Sequence, residues 1–303
     1  MNPQDKIELL CYRFWLLMYA ILGEIKKILI DTSIIKPHKK CVTGNITTPD
    51  LIVSLTTYGR RVQSVYYTIV SLMRQTMKPD MIILWLDYDN WNESNIPMSL
   101  KKLQQQGLTI KYCKDLKSYK KLIPALNEYP DAMIVTCDDD IYYRSNMVER
   151  LVKAFKADPT KIYAHRAHQI TFTNGYVDSY NNWPEEISDK VGVSVFPTSG
   201  GGTLYKKNLL HADICNETLF MKLSPKADDV WNFFMGNLEK TQNVVLPYKG
   251  YIYLPLDVFY QALHKGSNLA SSNFNECMND KQIQAIMEHY NIESKDLQDG
   301  QLS

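Results

Sequence analysis

Apolar stretches with the character of β-strands alternate with amphipathic helical stretches through the middle of this 303-residue chain. The stretch 51–58 (LIVSLTTY) is strand-like, and Val65, Ile69 and Leu72 recur at helical spacing in the stretch after it. The predicted strands are 51–58, 81–88, 108–113 and 131–137, and the predicted helices are 60–76, 99–106, 118–129 and 146–157. This alternation predicts a mostly parallel sheet with helices on both faces and a binding crevice at the carboxyl ends of its strands.

The alternation loosens after residue 161, although helical patterns at 227–240 and 280–290 and a strand-like pattern at 250–256 remain. The looser half has no internal repeat and lacks the linker composition of an independent domain. We therefore expect an N-terminal helix and linker over 1–45 and a single large α/β domain over 46–303.

The overall charge and the cysteines exclude several classes of partner and site. Lysine and arginine number 34 against 33 acidic residues, so no broad positive field attracts nucleic acid, and we expect no nucleic-acid partner. The six cysteines lie far apart without a C-x-x-C pair, which argues against a zinc site or a disulfide framework. Reduced thiols indicate a cytoplasmic protein.

The N-terminal segment contains a continuous apolar run at 14–22 (FWLLMYAIL), with Arg13 before it and Lys26 and Lys27 after it. The run is too short to span a bilayer, which needs about 20 apolar residues. No basic region precedes it and no cleavage site follows it, which argues against a signal peptide. Two alternatives remain: peripheral contact of residues 6–30 with the inner face of the cytoplasmic membrane, or packing against protein.

Three consecutive aspartates, Asp138, Asp139 and Asp140, directly follow the predicted strand 131–137. Adjacent carboxylates repel one another unless a cation lies between them, although aspartate is also common in turns and helix caps. A hard divalent ion with oxygen ligands is the usual remedy, and Mg²⁺ or Mn²⁺ commonly shares such carboxylates with substrate phosphates. Because the glycine motifs of dinucleotide-binding folds and P-loops are absent, the aspartates predict a metal-bound phosphate or diphosphate.

The aspartate segment TCDDDI, together with the first strand IVSLTTYGRR, resembles the Asp-x-Asp signature of GT-A-fold glycosyltransferases, particularly those of family 2. The segments IILWLDYD, YKKLIPALN, SGGGTLY and ADDVW extend the resemblance over residues 51 to about 240. It implies a GT-A (Rossmann-like) fold whose half 46–160 binds a nucleotide sugar and whose half 161–303 binds an acceptor. The family's DDGSTD segment is absent, and Asp228 stands where the family usually has glutamate.

The resemblance implies a nucleoside-diphosphate sugar as donor, with UDP as the expected nucleotide, and Mn²⁺ or Mg²⁺ as cofactor. The metal ligands it predicts are Asp138, Asp140 and His264, although His264 would equally suit an exposed loop. The predicted nucleotide contacts are Thr56, Tyr58, Arg60, Asp87, Lys120, Lys121, Asp138, Asp139 and Arg166.

The resemblance also predicts the acceptor side. Asp229, with Asp228 beside it, matches the family's catalytic base, although its place at a helix start also suits an N-cap. A base opposite the leaving group implies inversion at the anomeric carbon. Acceptor contacts are predicted at Gly200, Gly201, Gly202 and Trp231.

The expected function is therefore metal-dependent transfer of a sugar to a glycan or lipid-linked acceptor in bacterial surface polysaccharide biosynthesis. Two alternatives remain open, a sugar nucleotidyltransferase and a non-catalytic metal- or glycan-binding module.

Overall fold

The computed structural model describes residues 3–38, 41–43, 47–247, 253–258 and 278–299. Its helices in this part of the chain are α1 (Pro3–Asp31), α2 (Val65–Leu72), α3 (Met98–Gln104), α4 (Ile123–Glu128), α5 (Met147–Ala157), α6 (Glu217–Leu223), α7 (Asp228–Leu238) and α8 (Met278–Tyr290). Its strands are β1 (Leu51–Thr56), β2 (Met81–Asp87), β3 (Leu108–Cys113), β4 (Met133–Cys137), β5 (Ile141–Tyr143), β6 (Ile162–Ala164), β7 (Ala167–Gln169), β8 (Phe172–Thr173), β9 (Tyr176–Val177), β10 (Lys190–Gly192), β11 (Val195–Pro197), β12 (Thr203–Tyr205), β13 (Asn243–Val245) and β14 (Tyr253–Pro255).

The central sheet has eight strands in the order β10-β13-β6-β12-β4-β1-β2-β3. β1 pairs in parallel with β2 and β4, and β2 pairs in parallel with β3, whereas β12 is antiparallel to both β4 and β6. β2 is buried along its whole length, which explains its nearly continuous apolar sequence. The expected fold class, a mixed and mostly parallel sheet flanked by helices, is confirmed.

Strand register brings the ends of β1, β2 and β4 to one edge of the sheet. Leu55 is paired with Cys137, and Thr56 is paired with Trp85. Asp87 and the segment that begins at Asp138 therefore lie beside the end of β1. The crevice expected from the alternating pattern is formed at this edge.

Two predicted helices begin differently from the expectation. The predicted helix 118–129 is a 3-10 turn at Lys117–Lys121 followed by α4, because Pro124 lacks an N–H and its ring disfavours a helix continuing from Lys120. The predicted helix 60–76 begins as a 3-10 turn at Gly59–Gln63 before α2.

Helix α1 packs against β14. β14 pairs with β5, the strand that directly follows the three aspartates. Gly23 permits this close approach, since a Cβ at this position would lie 2.8 Å from the carbonyl oxygen of Pro255. Ala20 and Ile30 are buried on the same side of α1. The opposite side exposes apolar side chains, namely Phe14, Met18, Ile21, Ile25 and Ile28, with Trp15, Leu17 and Leu22 beside them. Among the described residues, the helices are all too short or too polar to cross a bilayer.

Candidate active site

The three aspartates at the end of β4 each contact a cation supplied by the chain. Asp138 Oδ1 accepts a hydrogen bond from Lys121 Nζ at 3.0 Å, and its side chain is 35% exposed. Asp139 is buried and accepts from Arg61 Nη1 at 2.9 Å and from Thr57 Oγ1 at 2.5 Å. The second guanidinium nitrogen of Arg61 lies 3.4 Å from Asp140 Oδ2. The chain itself therefore supplies positive charge at these aspartates, in addition to any divalent ion that the sequence predicts there.

Arg61 reaches the aspartates because the chain turns sharply after β1. Gly59 has a φ of +53°, a left-handed conformation that glycine adopts without steric cost. The 3-10 turn that follows directs Arg61 inward and leaves Arg60 exposed. The sequence predicted a nucleotide contact at Arg60 and none at Arg61, since neither periodicity nor motif distinguishes two adjacent arginines.

The aspartates differ in ionisation. Burial, together with the charges of Asp139 and Asp138, raises the pKa of Asp140 to about 7 against the opposing effect of Arg61. Burial also raises the pKa of Asp139, and Arg61 and Thr57 oppose that shift. For Arg61, burial lowers the pKa, but Asp139 and Asp140 outweigh it and the net pKa is raised. A pKa of about 7 leaves Asp140 partly protonated and partly ionised at neutral pH.

The carboxylates of this edge that could hold a divalent cation are those of Asp138 and Asp140. Asp138 and Asp140 retain exposed surface, at 35% and 17% of their side chains, whereas Asp139 is 6% exposed and bound by Arg61. Mg²⁺ commonly uses one or two carboxylates and completes its shell with water and substrate phosphates. No cluster of three or more histidine, cysteine, aspartate or glutamate side chains suited to a metal occurs among the described residues. His264 lies outside the described residues.

Lys120 and Asp87 form an internal ion-pair network at the end of β2. Lys120 is 1% exposed, and its Nζ lies 2.8 Å from Asp115 Oδ1 and 3.6 Å from Asp87 Oδ2. Asp87 Oδ1 accepts hydrogen bonds from the backbone N–H and the side-chain amide of Asn90, at 2.9 and 2.6 Å. A nucleotide contact at Lys120 or Asp87 would therefore have to compete with existing protein contacts.

Asp228 and Asp229 begin α7 and lie close to the aspartates of β4. Lys121 Nζ is 3.0 Å from Asp228 Oδ2, so one ammonium group contacts both Asp138 and Asp228. Ser199 Oγ donates to Asp229 Oδ1, and the Ser199 backbone N–H donates to Asp229 Oδ2 at 3.3 Å. Burial and the charge of Asp228 raise the pKa of Asp229 to about 6, while Lys121 lowers it. Ser199 was missed by sequence analysis, which assigned only the glycines after it.

The glycine loop, Gly200–Gly202, packs against Arg166. A Cβ at Gly201 would lie 2.8 Å from both the backbone nitrogen and the Cβ of Arg166. A Cβ at Gly200 would lie 3.3 Å from Arg166 Nη1 and 3.8 Å from Asp138 Oδ2, and Gly202 has a φ of +92°. The loop thus brings Arg166 and Asp138 to the same part of the crevice.

The remaining predicted residues lie in different environments. Tyr58 is exposed just after β1, and the guanidinium carbon of Arg61 lies 5.6 Å from the centre of its ring. The Thr56 hydroxyl donates to the carbonyl of Trp85 at 2.9 Å. Trp231 is fully buried and its indole N–H donates to the carbonyl of Ile214 at 3.0 Å. The acceptor contact expected at Trp231 is therefore wrong, because this ring belongs to the core.

Comparisons with known proteins give similarity only to solved structures. No protein-family model matches the chain, and no curated protein matches it. The chain is similar to a CMP:2-keto-3-deoxy-manno-octonic acid synthetase in complex with CTP, at 12% identity and a TM-score of 0.41, over 70% of this chain and 95% of that one. It is also similar to residues 1–349 of TarS from S. aureus in complex with UDP, at 11% identity and a TM-score of 0.43, over 80% of this chain and 72% of that one. Similarity at this level does not assign an activity.

Proposed function

We propose that this protein is a glycosyltransferase that moves a sugar from a nucleoside-diphosphate sugar, with UDP as the nucleotide, to a glycan or lipid-linked acceptor. The observation that carries the proposal is that two clusters of aspartates meet at one edge of the sheet. The aspartates after β4 and the aspartates at the start of α7 are joined through Lys121, within 3.0 Å of Asp138 and of Asp228. A donor site and a catalytic base for an acceptor need this proximity.

The donor's diphosphate would lie at the aspartates after β4. Asp138 and Asp140 would hold Mn²⁺ or Mg²⁺ there, and the ion would offset the negative charge that grows on the departing diphosphate. Arg61 binds Asp139 and holds it out of the crevice. The guanidinium of Arg166 lies beside Gly200, as Asp138 does, and adds positive charge to this part of the crevice.

Asp229 would act as the general base. With a pKa of about 6 it is mostly ionised at neutral pH and remains basic enough to take a proton from the acceptor hydroxyl. The acceptor oxygen bonds to the anomeric carbon while the bond from that carbon to the diphosphate oxygen breaks with its electron pair. Attack opposite the leaving group inverts the anomeric centre.

The exposed apolar side of α1 supports a location for this reaction at a membrane surface. We propose that it contacts the inner face of the cytoplasmic membrane, in keeping with a role in bacterial surface polysaccharide biosynthesis. Eight large apolar side chains of α1 are between 36% and 59% exposed, and an interfacial helix needs such a face.

The function is tested by measuring melting shifts with UDP and a panel of nucleotide sugars, with and without Mn²⁺, followed by donor turnover. We expect UDP to stabilise the protein and Asp229→Asn to retain UDP binding while losing about 10²- to 10⁴-fold in transfer. Glu217→Gln removes an acid from the first turn of another helix, α6, and should leave both unchanged.

Other outcomes of the same panel would overturn the proposal. Release of pyrophosphate from a nucleoside triphosphate and a sugar phosphate would indicate a nucleotidyltransferase. Stabilisation by ligands without turnover of any donor would indicate a binding module.

A further inference from the structure

Three protein oxygens surround the ammonium group of Lys121, two of them as hydrogen-bond acceptors and the third in an ion pair. Its Nζ contacts Ser199 Oγ at 2.6 Å, Asp138 Oδ1 at 3.0 Å and Asp228 Oδ2 at 3.0 Å. An ammonium group has three N–H donors, and the Lys121 side chain is only 6% exposed. The nucleotide contact predicted at Lys121 would have to compete with these protein contacts. The lysine is instead placed to hold protein carboxylates relative to one another.

Ser199 links that lysine to Asp229. Because the Ser199 oxygen accepts from Lys121, its own proton is available to Asp229 Oδ1, to which it donates. The Ser199 backbone N–H donates to the other carboxylate oxygen at 3.3 Å. Both oxygens of Asp229 are therefore oriented by one residue, and that residue is tied to the donor side through Lys121.

The position of Ser199 is fixed by the glycine loop. The backbone N–H of Thr198 donates to the carbonyl of Arg166 at 3.0 Å, and the N–H of Gly202 donates to the carbonyl of Ser199 at 2.9 Å. Gly201 lies against the backbone of Arg166 at a distance that admits no side chain. Ser199 is 2% exposed as a result, and no large movement is needed for its hydroxyl to orient the base.

We propose that Lys121 and Ser199 are positioning residues that fix the catalytic base Asp229 relative to the donor aspartate Asp138. The inference rests on the proposed function, in which Asp229 takes the acceptor proton. It adds that the two halves of the site are assembled by a continuous hydrogen-bonded chain, Asp138 to Lys121 to Ser199 to Asp229. Misplacement of a reacting group by about 1 Å can cost about 10²-fold in rate, so this chain matters for turnover more than for donor binding.

Two neighbouring hydroxyls provide a matched test. Ser199→Ala removes the hydroxyl that links Lys121 to Asp229, and Ser199→Thr retains it. Thr198→Val is the control, because Thr198 is 4% exposed and its Oγ1 has no hydrogen-bond partner among the described residues. Both substitutions remove a buried hydroxyl from the same loop, and only one of them breaks the chain.

The first measurement separates turnover from binding. We expect Ser199→Ala to lower kcat by about 10- to 100-fold while the donor KM and the Kd for UDP change less than about twofold. Ser199→Thr should recover most of kcat, and Thr198→Val should match the wild type. Equal losses in kcat and UDP affinity, or equal effects of Thr198→Val and Ser199→Ala, would overturn the inference.

The second measurement does not depend on transfer activity. The carboxyl carbon of Asp229 is followed by NMR against pH, and its signal is identified by its loss in Asp229→Asn. Hydrogen bonds to the ionised form lower a carboxyl pKa, so Ser199→Ala should raise the midpoint and Thr198→Val should not. Among the described residues, the other ionisable groups that influence Asp229 or are influenced by it are Lys121, Asp138, Asp228, Tyr119, Tyr180 and Tyr205.

These two measurements distinguish failure of the inference from failure of the proposed function. A wild-type protein that transfers no sugar overturns the proposed function, whereas an unchanged midpoint in Ser199→Ala overturns the inference whether or not transfer occurs. If Ser199→Ala does not fold, Ser199→Cys keeps the side-chain size with a much weaker donor and is expected to give the same midpoint shift.

Discussion

At the residue scale, two cations divide the carboxylates of the candidate active site between them. Arg61 contacts Asp139 and Asp140, and Lys121 contacts Asp138 and Asp228. Asp229 adds a fifth carboxylate that neither cation contacts directly. Burial, together with the neighbouring carboxylates, raises the pKa values of Asp140 and Asp229. The excess of negative charge would also attract a divalent ion.

Replacement of Arg61 should therefore destabilise the fold. Arg61→Met leaves Asp139 buried without its cation, and we expect a loss of about 2–4 kcal/mol in the free energy of unfolding, reduced somewhat because Arg61 is 25% exposed. Arg60→Met changes the exposed neighbour and should alter the free energy of unfolding by less than about 0.5 kcal/mol. Urea unfolding of both variants at pH 7 gives the comparison, and equal losses would contradict it.

The raised pKa of Asp229 makes stability depend on pH. Burial and Asp228 raise it from 3.8 to about 6, so its contribution to stability is complete below pH 4 and is lost as the pH rises through 6. Asp229→Asn lacks this loss. We expect this variant to be more stable than the wild type at pH 8 by on the order of 1–2 kcal/mol, since partial exposure screens the charge. Unfolding measured from pH 4 to 8 should show the difference growing until the pH passes about 6 and staying constant above it.

At the scale of elements, the alternating pattern predicted the four parallel strands and placed the aspartates at their carboxyl edge. It did not separate the 3-10 turn at Lys117–Lys121 from α4, although Pro124 is visible in the sequence, and this turn places Lys120 and Lys121 against the strands. Nor could it predict Arg61 or Ser199, because their partners Asp139 and Asp229 are 78 and 30 residues away in the chain. Local patterns report faces of helices and strands, whereas these contacts depend on how loops from separate elements meet.

The glycine loop before β12 gives an element-scale prediction. Gly201→Ala would place a Cβ 2.8 Å from the backbone of Arg166, so the loop must move, and we expect a loss of about 1–3 kcal/mol in the free energy of unfolding. Gly200→Ala meets the flexible end of the Arg166 side chain at 3.3 Å and should cost less than about 1 kcal/mol. Thermal unfolding of the two variants compares them, and a larger loss for Gly200→Ala would contradict this packing.

At the scale of the whole molecule, α1 has two apolar sides with different surroundings. Ala20, Gly23 and Ile30 face the domain, and Ile21 and Ile25 belong to the exposed side. The sequence alone left membrane contact and packing on protein as alternatives. The structure shows the packing, and the exposed side keeps the membrane proposal open to test.

Membrane contact predicts a specific loss on substitution of the exposed side. The double variant Ile21→Asp, Ile25→Asp should sediment with anionic phospholipid vesicles at least about tenfold less than the wild type, because ionised aspartates on the apolar face are repelled by anionic headgroups and are costly to bury against acyl chains. Val191→Asp changes an apolar residue of β10 that is 55% exposed and should sediment normally. Equal sedimentation of all three proteins, or none by the wild type, would reject the proposal.

The close fit of Gly23 against Pro255 has a geometric consequence for the acceptor. A 29-residue helix is a rod about 43 Å long, and its contact with β14, and through β14 with β5, fixes it relative to the aspartates. If that rod lies on a membrane, the crevice is held at a constant height above the lipid surface. Among membrane-anchored acceptors, only those whose reactive end reaches that height would then be extended.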